Sequence, residues 1–139
     1  ANDLESLNLK VVTRSSKKQI SKNTDIYIVD TYGETSKFYG LSNVTFVGGS
    51  IIPHGGQNPL EPARMGSYIL HGSNIQNFRE IYIMLSKLNI SSKINNIKNM
   101  KKIITKKIKY KQSQSAIQKL NLMGNEILTK NLNEINKYL

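Results

Sequence analysis

The residues of this sequence that are best suited to chemistry lie between Phe46 and Gly66, which reads F-V-G-G-S-I-I-P-H-G-G-Q-N-P-L-E-P-A-R-M-G. An apolar run ends in paired glycines, a second glycine pair follows, and a helical pattern with an early carboxylate comes next. Glycine-rich loops bring backbone amides close to an anion, and helix N-termini favour negative charge because their free N–H groups point outward. The segment therefore predicts a phosphate site, with a plain strand-to-helix turn as the alternative.

The donors and the acid of this segment define the candidate site more closely. Five loop residues carry potential donors for a phosphate: Gly48, Gly49, Ser50 through its hydroxyl, Gly55 and Gly56. Glu61 falls in the first helical turn, where a carboxylate stabilises the helix dipole or, beside a phosphate, binds the two hydroxyls of a ribose. The spacing matches neither G-x-x-x-x-G-K-[ST] nor G-x-G-x-x-G, so another kind of nucleotide site is indicated.

The elements that must position these residues form an alternating pattern. Short β-branched runs alternate with helical periodicity, which is typical of βαβ units around a parallel sheet. We predict strands at residues 9–14, 25–29, 44–47 and 67–70, and helices at 33–41, 59–65, 78–87, 94–108 and 115–139. An apolar stripe of the last helix is expected to pack on the core: Ile117, Leu120, Met123 or Gly124, Ile127, Leu128, Ile135 and Leu139. The sequence therefore predicts an α/β fold.

Length, composition and charge set further limits. The chain has 139 residues and no Cys, so we expect one domain without disulfides or thiolate metal sites. Two His without clustered acids predict no metal site. No run reaches the ~18–20 apolar residues of a membrane span, so a soluble segment is expected. Residues 3–7 resemble the end of a helix without its beginning, so we expect the sequence to be cut from a longer chain.

The charge is concentrated in the C-terminal part. Residues 1–82 hold 8 Lys and Arg against 7 acidic residues, whereas residues 83–139 hold 12 Lys against 2 Glu. Such a tail could bind anionic lipid or nucleic acid, or its Lys residues could lie on solvated helix faces. Arg, the preferred reader of phosphates and bases, is absent from the tail, which weighs against nucleic acid.

Four strings carry a family resemblance: D-T-Y-G-E at residues 30–34, F-V-G-G-S at 46–50, G-G-Q-N-P-L-E-P-A at 55–63 and N-F at 77–78. In order and spacing they resemble the 3-deoxy-D-manno-octulosonate (Kdo) transferases. The motifs cover residues 25–80, and the rest of the tail agrees only in its helical pattern.

The resemblance implies a GT-B glycosyltransferase, in which two Rossmann-like domains face each other across a cleft. The chain resembles most of the second domain without its first strand, with residues 1–139 as one nucleotide-sugar-binding domain and a helical part from about residue 94 to 139. The implied donor is CMP-Kdo, used without metal or other cofactor. The implied acceptor is a lipid A precursor bound by the missing N-terminal domain.

The same resemblance places the parent enzyme at the cytoplasmic face of the inner membrane of a Gram-negative bacterium, in lipopolysaccharide biosynthesis. A membrane surface is therefore a possible partner, nucleic acid is not an expected one, and no oligomeric state is predicted. The catalytic base of the family is a Glu of the first domain. We therefore expect no catalytic residue here and no activity of the chain alone.

Residue by residue, the resemblance assigns Glu61 to the ribose and Asn58 to the helix entry beside the phosphate. Residues 48–50 would face phosphate and sugar. Gly33 and Glu34 would open another helix toward the cleft, where amides meet an anion or the base edge. For Glu34, the alternative is a simple partner of the helix dipole.

Four positions depart from the family pattern. His54 stands where a basic residue is expected before the glycine pair at residues 55–56, and Gln57 stands where His is common after it. His71 and Gly72 follow the fourth predicted strand, where the family usually has Gly-Pro. For both His residues the alternative is an ordinary surface or loop position.

Two other functions remain open from the sequence. The chain could belong to a GT-B transferase that uses a UDP-linked sugar, since that fold and the ribose-binding acid are shared. It could also be a non-catalytic basic module that binds anionic membrane or RNA.

Overall fold

The computed structural model describes residues 2–138, apart from five side chains of the last helix, those of Gln114, Ile127, Leu128, Lys130 and Asn131. The chain forms two compact units, Ala1–Thr35 and Ser36–Leu139. Each unit has its own parallel sheet. The prediction that the whole chain is one domain stays a prediction.

The first unit contains a short helix and two strands. These are α1, Asn2–Glu5, and the parallel pair β1, Val11–Thr13, and β2, Ile26–Ile28. The next helix, α2, spans Thr35–Leu41, although the sequence predicts a start at Gly33. Gly33 has φ +80°, a left-handed value outside the helical range, so the helix begins only after it.

The second unit is built on three parallel strands. They are β3, Val44–Phe46, β4, Tyr68–His71, and β5, Ser91–Lys93, in the spatial order β3-β4-β5. The central strand β4 is buried along its whole length, as expected for a strand covered on both faces. The predicted α/β class with parallel strands is confirmed.

Four helices cover this sheet: α3, Leu60–Arg64, α4, Arg79–Lys87, α5, Ile97–Lys107, and α6, Gln114–Ile135. Successive side chains of a strand point to opposite faces. On one face Ile69 packs in a cluster with Val47, Ala63, Tyr82, Leu85, Ile90 and Leu120. On the other face Tyr68 and Leu70 pack with Ile94 and with the apolar side of α5. Each face of the sheet is therefore covered by a hydrophobic cluster.

Strand β5 is absent from the sequence prediction. Its residues Ser91, Ser92 and Lys93 have low strand propensity, and it pairs only with β4 at one edge of the sheet. The buried residues Ile90 and Ile94 flank it. Pairing with β4 and burial of the two flanking isoleucines, rather than the composition of the strand itself, therefore stabilise β5.

The apolar stripe of α6 packs only in part. Leu120 is fully buried, but Met123 is 36% and Ile135 55% exposed, so the prediction of core packing is wrong for these two residues. The main contacts of α6 are with α3, which is only five residues long and therefore covers only part of the 22-residue helix. Leu139 and the side chains of Ile127 and Leu128, which belong to the predicted stripe, lie outside the described residues.

No helix among residues 2–138 combines the length and the apolar character that crossing a membrane requires.

Candidate functional site

The loops after β3 and β4 meet at the carboxyl edge of the sheet, because the two strands are parallel neighbours. We call residues 48–58 the glycine loop and residues 72–77 the β4 exit. The β4 exit holds the glycine loop by three amide donors: Gly72 to Ser50 Oγ at 2.9 Å, Asn74 to Ser50 O at 2.8 Å and Asn77 to Gly55 O at 3.0 Å. The glycine loop is thus fixed near both of its ends.

The start of the glycine loop presents free backbone donors. Among the residues that the structure describes, the amides of Gly48 and Gly49, which are both partly exposed, donate to no protein acceptor. A Cβ built on Gly48 meets no atom within 4 Å, so the turn is open on that side. Successive N–H groups in a turn of this kind can bind an anion. The glycine amides at the start of the loop are therefore available, as the predicted phosphate site requires.

The hydroxyl of Ser50 has a different role from the predicted one. Ser50 is fully buried, and its hydroxyl donates to the Val47 carbonyl at 2.7 Å while accepting from the Gly72 amide at 2.9 Å. Its single proton is therefore used inside the protein. The prediction of this hydroxyl as a phosphate donor is corrected. The side chain instead links Val47, the residue after β3, to Gly72 of the β4 exit.

His54 and Gln57 both lie next to Gly49. A Cβ built on Gly49 would be 3.6 Å from His54 Cγ and 3.7 Å from Gln57 Cγ. Both side chains are exposed. The structure thus brings three predicted site residues together at the open turn.

Tyr82 supports this arrangement from below, although sequence reasoning assigned it no role. Its hydroxyl donates to the Gln57 carbonyl at 2.9 Å, and burial raises the pKa of Tyr82 to about 12. The tyrosine therefore stays protonated at neutral pH and keeps donating this bond. In the sequence, the sign of this role was a tyrosine hydroxyl on a face of α4 that is otherwise apolar.

Gly55 and Gly56 are placed differently from the first glycine pair. The Gly56 amide donates to Gly49 O at 3.0 Å, so this amide is used within the loop. Gly56 is buried, whereas Gly55 is partly exposed and lies against the Asn77 side chain. The second pair therefore shapes the loop, and the prediction that the Gly56 amide faces a phosphate is corrected.

Glu61 lies in the first turn of α3, as predicted, and its side chain is exposed. Its Oε1 accepts a hydrogen bond from Ser36 Oγ at 2.6 Å. Glu61 and Asn58 line one cavity together with Arg64 and Asn121. The carboxylate therefore faces a recess next to the end of the glycine loop.

The entry to α3 differs by one residue from the prediction. Pro59 occupies the N-cap, and the helix begins at Leu60, whereas Pro59 was expected as the first helical residue after an Asn cap. Asn58 Oδ1 nevertheless accepts from the Leu60 amide at 3.0 Å. Asn58 thus orders the helix entry through its side chain.

Three further residues near Glu61 were missed. Ser36 binds Glu61, and Arg64 Nε donates to Asn121 Oδ1 at 3.0 Å, which ties α3 to α6. Arg64 lies three residues after Glu61 on the same helix, which was the only sequence signal for it. Ser36 and Asn121 lie far from the motif in the sequence, so local patterns could not find them.

Gly33 and Glu34 lie in the unit Ala1–Thr35. Glu34 precedes α2 instead of lying in its first turn, so that prediction is wrong. Its carboxylate accepts from Arg14 Nη2 at 2.9 Å, Arg14 Nε at 3.0 Å and Thr31 Oγ1 at 2.8 Å. These hydrogen bonds raise the pKa of Arg14 above its usual value. Glu34 is thus engaged within its own unit, and its role toward a ligand stays a prediction.

His71 is a buried residue at the end of β4. Its Nδ1 lies 2.8 Å from the Gly72 carbonyl, and its ring packs on Tyr82 with 4.4 Å between the ring centroids. Burial lowers the pKa of His71, with a smaller contribution from Lys93 and an opposing one from the Gly72 carbonyl. The structure makes His71 part of the core beneath the glycine loop.

We expect the lowered pKa of His71 to make the chain less stable at mildly acidic pH. Its pKa is about 6.5 when unfolded, so as pH falls below that value the unfolded state takes up a proton before the folded state does. The contribution is fully present above the unfolded pKa and is lost as pH falls through the folded one. The slope should be at most about 1.4 kcal/mol per pH unit.

Urea unfolding of the chain at a series of pH values, compared with His71→Gln, measures this effect. The variant should lose part of the pH dependence, whereas His54→Gln, at an exposed position, is the matched control. An equal pH dependence in wild type and His71→Gln would contradict the assignment.

Within residues 2–138, His, Asp and Glu side chains nowhere form a group of three that could hold a metal ion. The prediction of a metal-free site stays a prediction.

Comparison with known proteins identifies relatives of this chain. No family model matches it. It is 29% identical over 140 residues to a 3-deoxy-D-manno-octulosonic acid transferase of Haemophilus influenzae, covering 100% of this chain and 32% of that protein. A protein of the same description from Rickettsia prowazekii is 32% identical over 83 residues, covering 60% of this chain and 18% of that protein.

A solved structure agrees with these relatives. The crystal structure of the C-terminal CMP-Kdo binding domain of WaaA from Acinetobacter baumannii matches with a TM-score of 0.72 and 28% identity, over 91% of this chain and 65% of that one. The chain is therefore a homologue of the 3-deoxy-D-manno-octulosonic acid (Kdo) transferases, spans at most about a third of the length of these two relatives, and has the α/β fold of a C-terminal domain of a GT-B glycosyltransferase.

Proposed function

We propose that this chain binds the donor CMP-Kdo for a glycosyltransferase that transfers Kdo to a lipid A precursor in lipopolysaccharide biosynthesis. The observation that carries the proposal is the pair of free, partly exposed amides at Gly48 and Gly49, just beyond the carboxyl end of β3. Ligands of open α/β sheets bind at this edge, and free N–H groups there suit a phosphate. The CMP-Kdo binding domain with the same fold supports the identity of the nucleotide.

The roles of individual residues follow from their places. The amides of Gly48 and Gly49 hold the phosphate, and His54 and Gln57 flank it with polar side chains. Glu61 accepts hydrogen bonds from the ribose hydroxyls, with Asn58 ordering the helix entry next to it. The phosphate contacts and the ribose contacts are separate parts of the proposal.

The contribution of these residues to transfer is electrostatic. When the bond between the sugar and CMP breaks, negative charge grows on the departing phosphate, and fixed N–H dipoles stabilise it without reorganising. The base that activates the acceptor hydroxyl is proposed to come from the rest of the parent enzyme, at the cytoplasmic face of the inner membrane. No metal or other cofactor is part of the proposal.

Titration with CMP, followed by the amide resonances of the chain, tests the proposal. The amide resonances of residues 48–61 should shift, and CMP should bind more tightly than UMP. Stronger binding of UMP would favour a transferase that uses a UDP-linked sugar. An absence of shifts in residues 48–61 at millimolar CMP would contradict nucleotide binding here.

Glu61→Ala should weaken CMP binding by about 1 to 3 kcal/mol, because the ribose hydroxyls lose their acceptor while the phosphate contacts remain. That corresponds to roughly 5- to 150-fold in the dissociation constant. Glu80→Ala is the matched control, since Glu80 is also an exposed acid in the first turn of a helix. Equal effects of the two substitutions would show that only net charge matters and would remove Glu61 from the site.

A further inference from the structure

The outward face of α5 carries an unusual concentration of positive charge. Its inward face is apolar and packs Met100, Ile103 and Ile104 against the sheet. Helical geometry turns the opposite side of the helix outward, away from these three. Four exposed lysines occupy that outward face: Lys98, Lys101, Lys102 and Lys106.

These four lysines lack partners of opposite charge. Within the described residues none of them forms an ion pair. The sequence contains no Asp or Glu between Glu80 and Glu126, so no acid lies on α5 itself. Like charges at a spacing of four residues destabilise a helix slightly, so the face bears a small cost without a compensating contact in the chain.

A fifth lysine of the same helix shows the contrast. Lys107 Nζ lies 4.3 Å from the centroid of the Tyr68 ring and 5.1 Å from that of Tyr110, so its charge is bound within the fold as a cation–π contact. The inward lysine is used structurally, whereas the four outward ones are available to a partner.

We propose that the outward face of α5 docks this chain on an anionic phospholipid surface. Clustered lysines are attracted to anionic headgroups over about a Debye length, without needing a shaped pocket. The proposal does not depend on nucleotide binding at the glycine loop.

A lipid surface fits this face better than RNA does. Recognition of nucleic acid commonly uses Arg for phosphates and bases and exposed aromatic rings for stacking. The face has no Arg and no aromatic residue, and Tyr110, just after the helix, is only partly exposed. Lysine, as a compact point charge, suits a diffuse negative surface.

Co-sedimentation of the full 139-residue chain with vesicles tests the proposal. Phosphatidylcholine vesicles with and without phosphatidylglycerol are compared at low and physiological salt. Binding should require phosphatidylglycerol and weaken with salt. Replacing the four outward lysines with Gln should reduce binding by at least about tenfold, since each Lys contributes up to about fivefold when it reaches an anionic surface.

The matched control replaces four exposed lysines of the first unit with Gln: Lys10, Lys17, Lys18 and Lys22. It has the same net charge as the α5 variant and should bind vesicles within about twofold of the wild type. The double variant Lys98→Gln, Lys102→Gln should give an intermediate loss, and it serves as the readout if the fourfold variant does not fold.

Three results would overturn the proposal. The wild-type chain could fail to bind phosphatidylglycerol vesicles, or the two fourfold variants could bind equally, which would reduce the effect to net charge. Tighter binding of single-stranded RNA than of vesicles through the same four lysines would assign the face to nucleic acid instead.

Discussion

Gly72→Ala should destabilise the chain by about 3 kcal/mol, the largest effect that we expect for a single methyl group here. The added Cβ would overlap the Ser50 carbonyl oxygen and lie 2.6 Å from Ser50 C and 2.9 Å from Ile51 N. All three are backbone atoms, so a side-chain rotation cannot relieve the overlap. The glycine loop would have to move away from the β4 exit, which breaks the bonds to Ser50.

Urea unfolding gives the stability change, and CMP titration of the same variant shows whether the glycine loop keeps its shape. Gly40→Ala is the matched control, since Gly40 lies in α2 and a Cβ there meets nothing within 4 Å. That control should stabilise the chain by about 0.5 to 1 kcal/mol, because alanine is the better helix former. If Gly72→Ala were as stable as the wild type, the described packing between the two loops would be incorrect.

Gly56→Ala should have the second largest effect, a loss of about 2 to 3 kcal/mol. Gly56 has φ +77°, which costs an L-residue energy, and its Cβ would lie 3.0 Å from Asn74 O and 3.3 Å from Ile75 Cα. Backbone strain and a tight backbone contact therefore add together. The loss should also weaken CMP binding, since the Gly56 amide holds Gly49 in place.

Comparison with Gly66→Ala separates the two causes in the same unfolding measurement. Gly66 also has a positive φ, +94°, but a Cβ there meets no atom within 4 Å. Its substitution should show the strain alone, about 1 to 2 kcal/mol, and should leave CMP binding unchanged. Equal losses at both positions would mean that the contact with the β4 exit contributes nothing.

The strands and the loop next to the motif were predictable from sequence because their signals are local. Val44 to Phe46 is a β-branched and aromatic run that stops at paired glycines, and β4 is a short apolar strand between a glycine and a polar segment. The first-turn position of Glu61 followed from the helical pattern after Pro59. Each of these features depends on neighbours within a few residues.

The features that sequence reasoning missed depend on contacts between distant segments. Ser50 was expected to offer its proton to a ligand, but the Val47 carbonyl takes it, with Gly72 on the other side of the hydroxyl. Glu34 is held by Arg14, twenty residues earlier. Strand β5 forms by pairing with β4, although the residues of β5 are polar. No periodicity in one segment reports such partners.

The hydrogen bond from Ser36 to Glu61 affects how the Glu61 cavity can discriminate between ligands. Oε1 of Glu61 already accepts a hydrogen bond from the Ser36 hydroxyl at 2.6 Å, and in the described part of the chain Oε2 accepts from no residue. A sugar that reaches Oε1 displaces an equivalent donor, so that exchange is nearly neutral in free energy. In the proposed binding mode, Oε2 and the contacts to the base would then discriminate between nucleotides, while the amides of Gly48 and Gly49 would bind the phosphate that all nucleotides share.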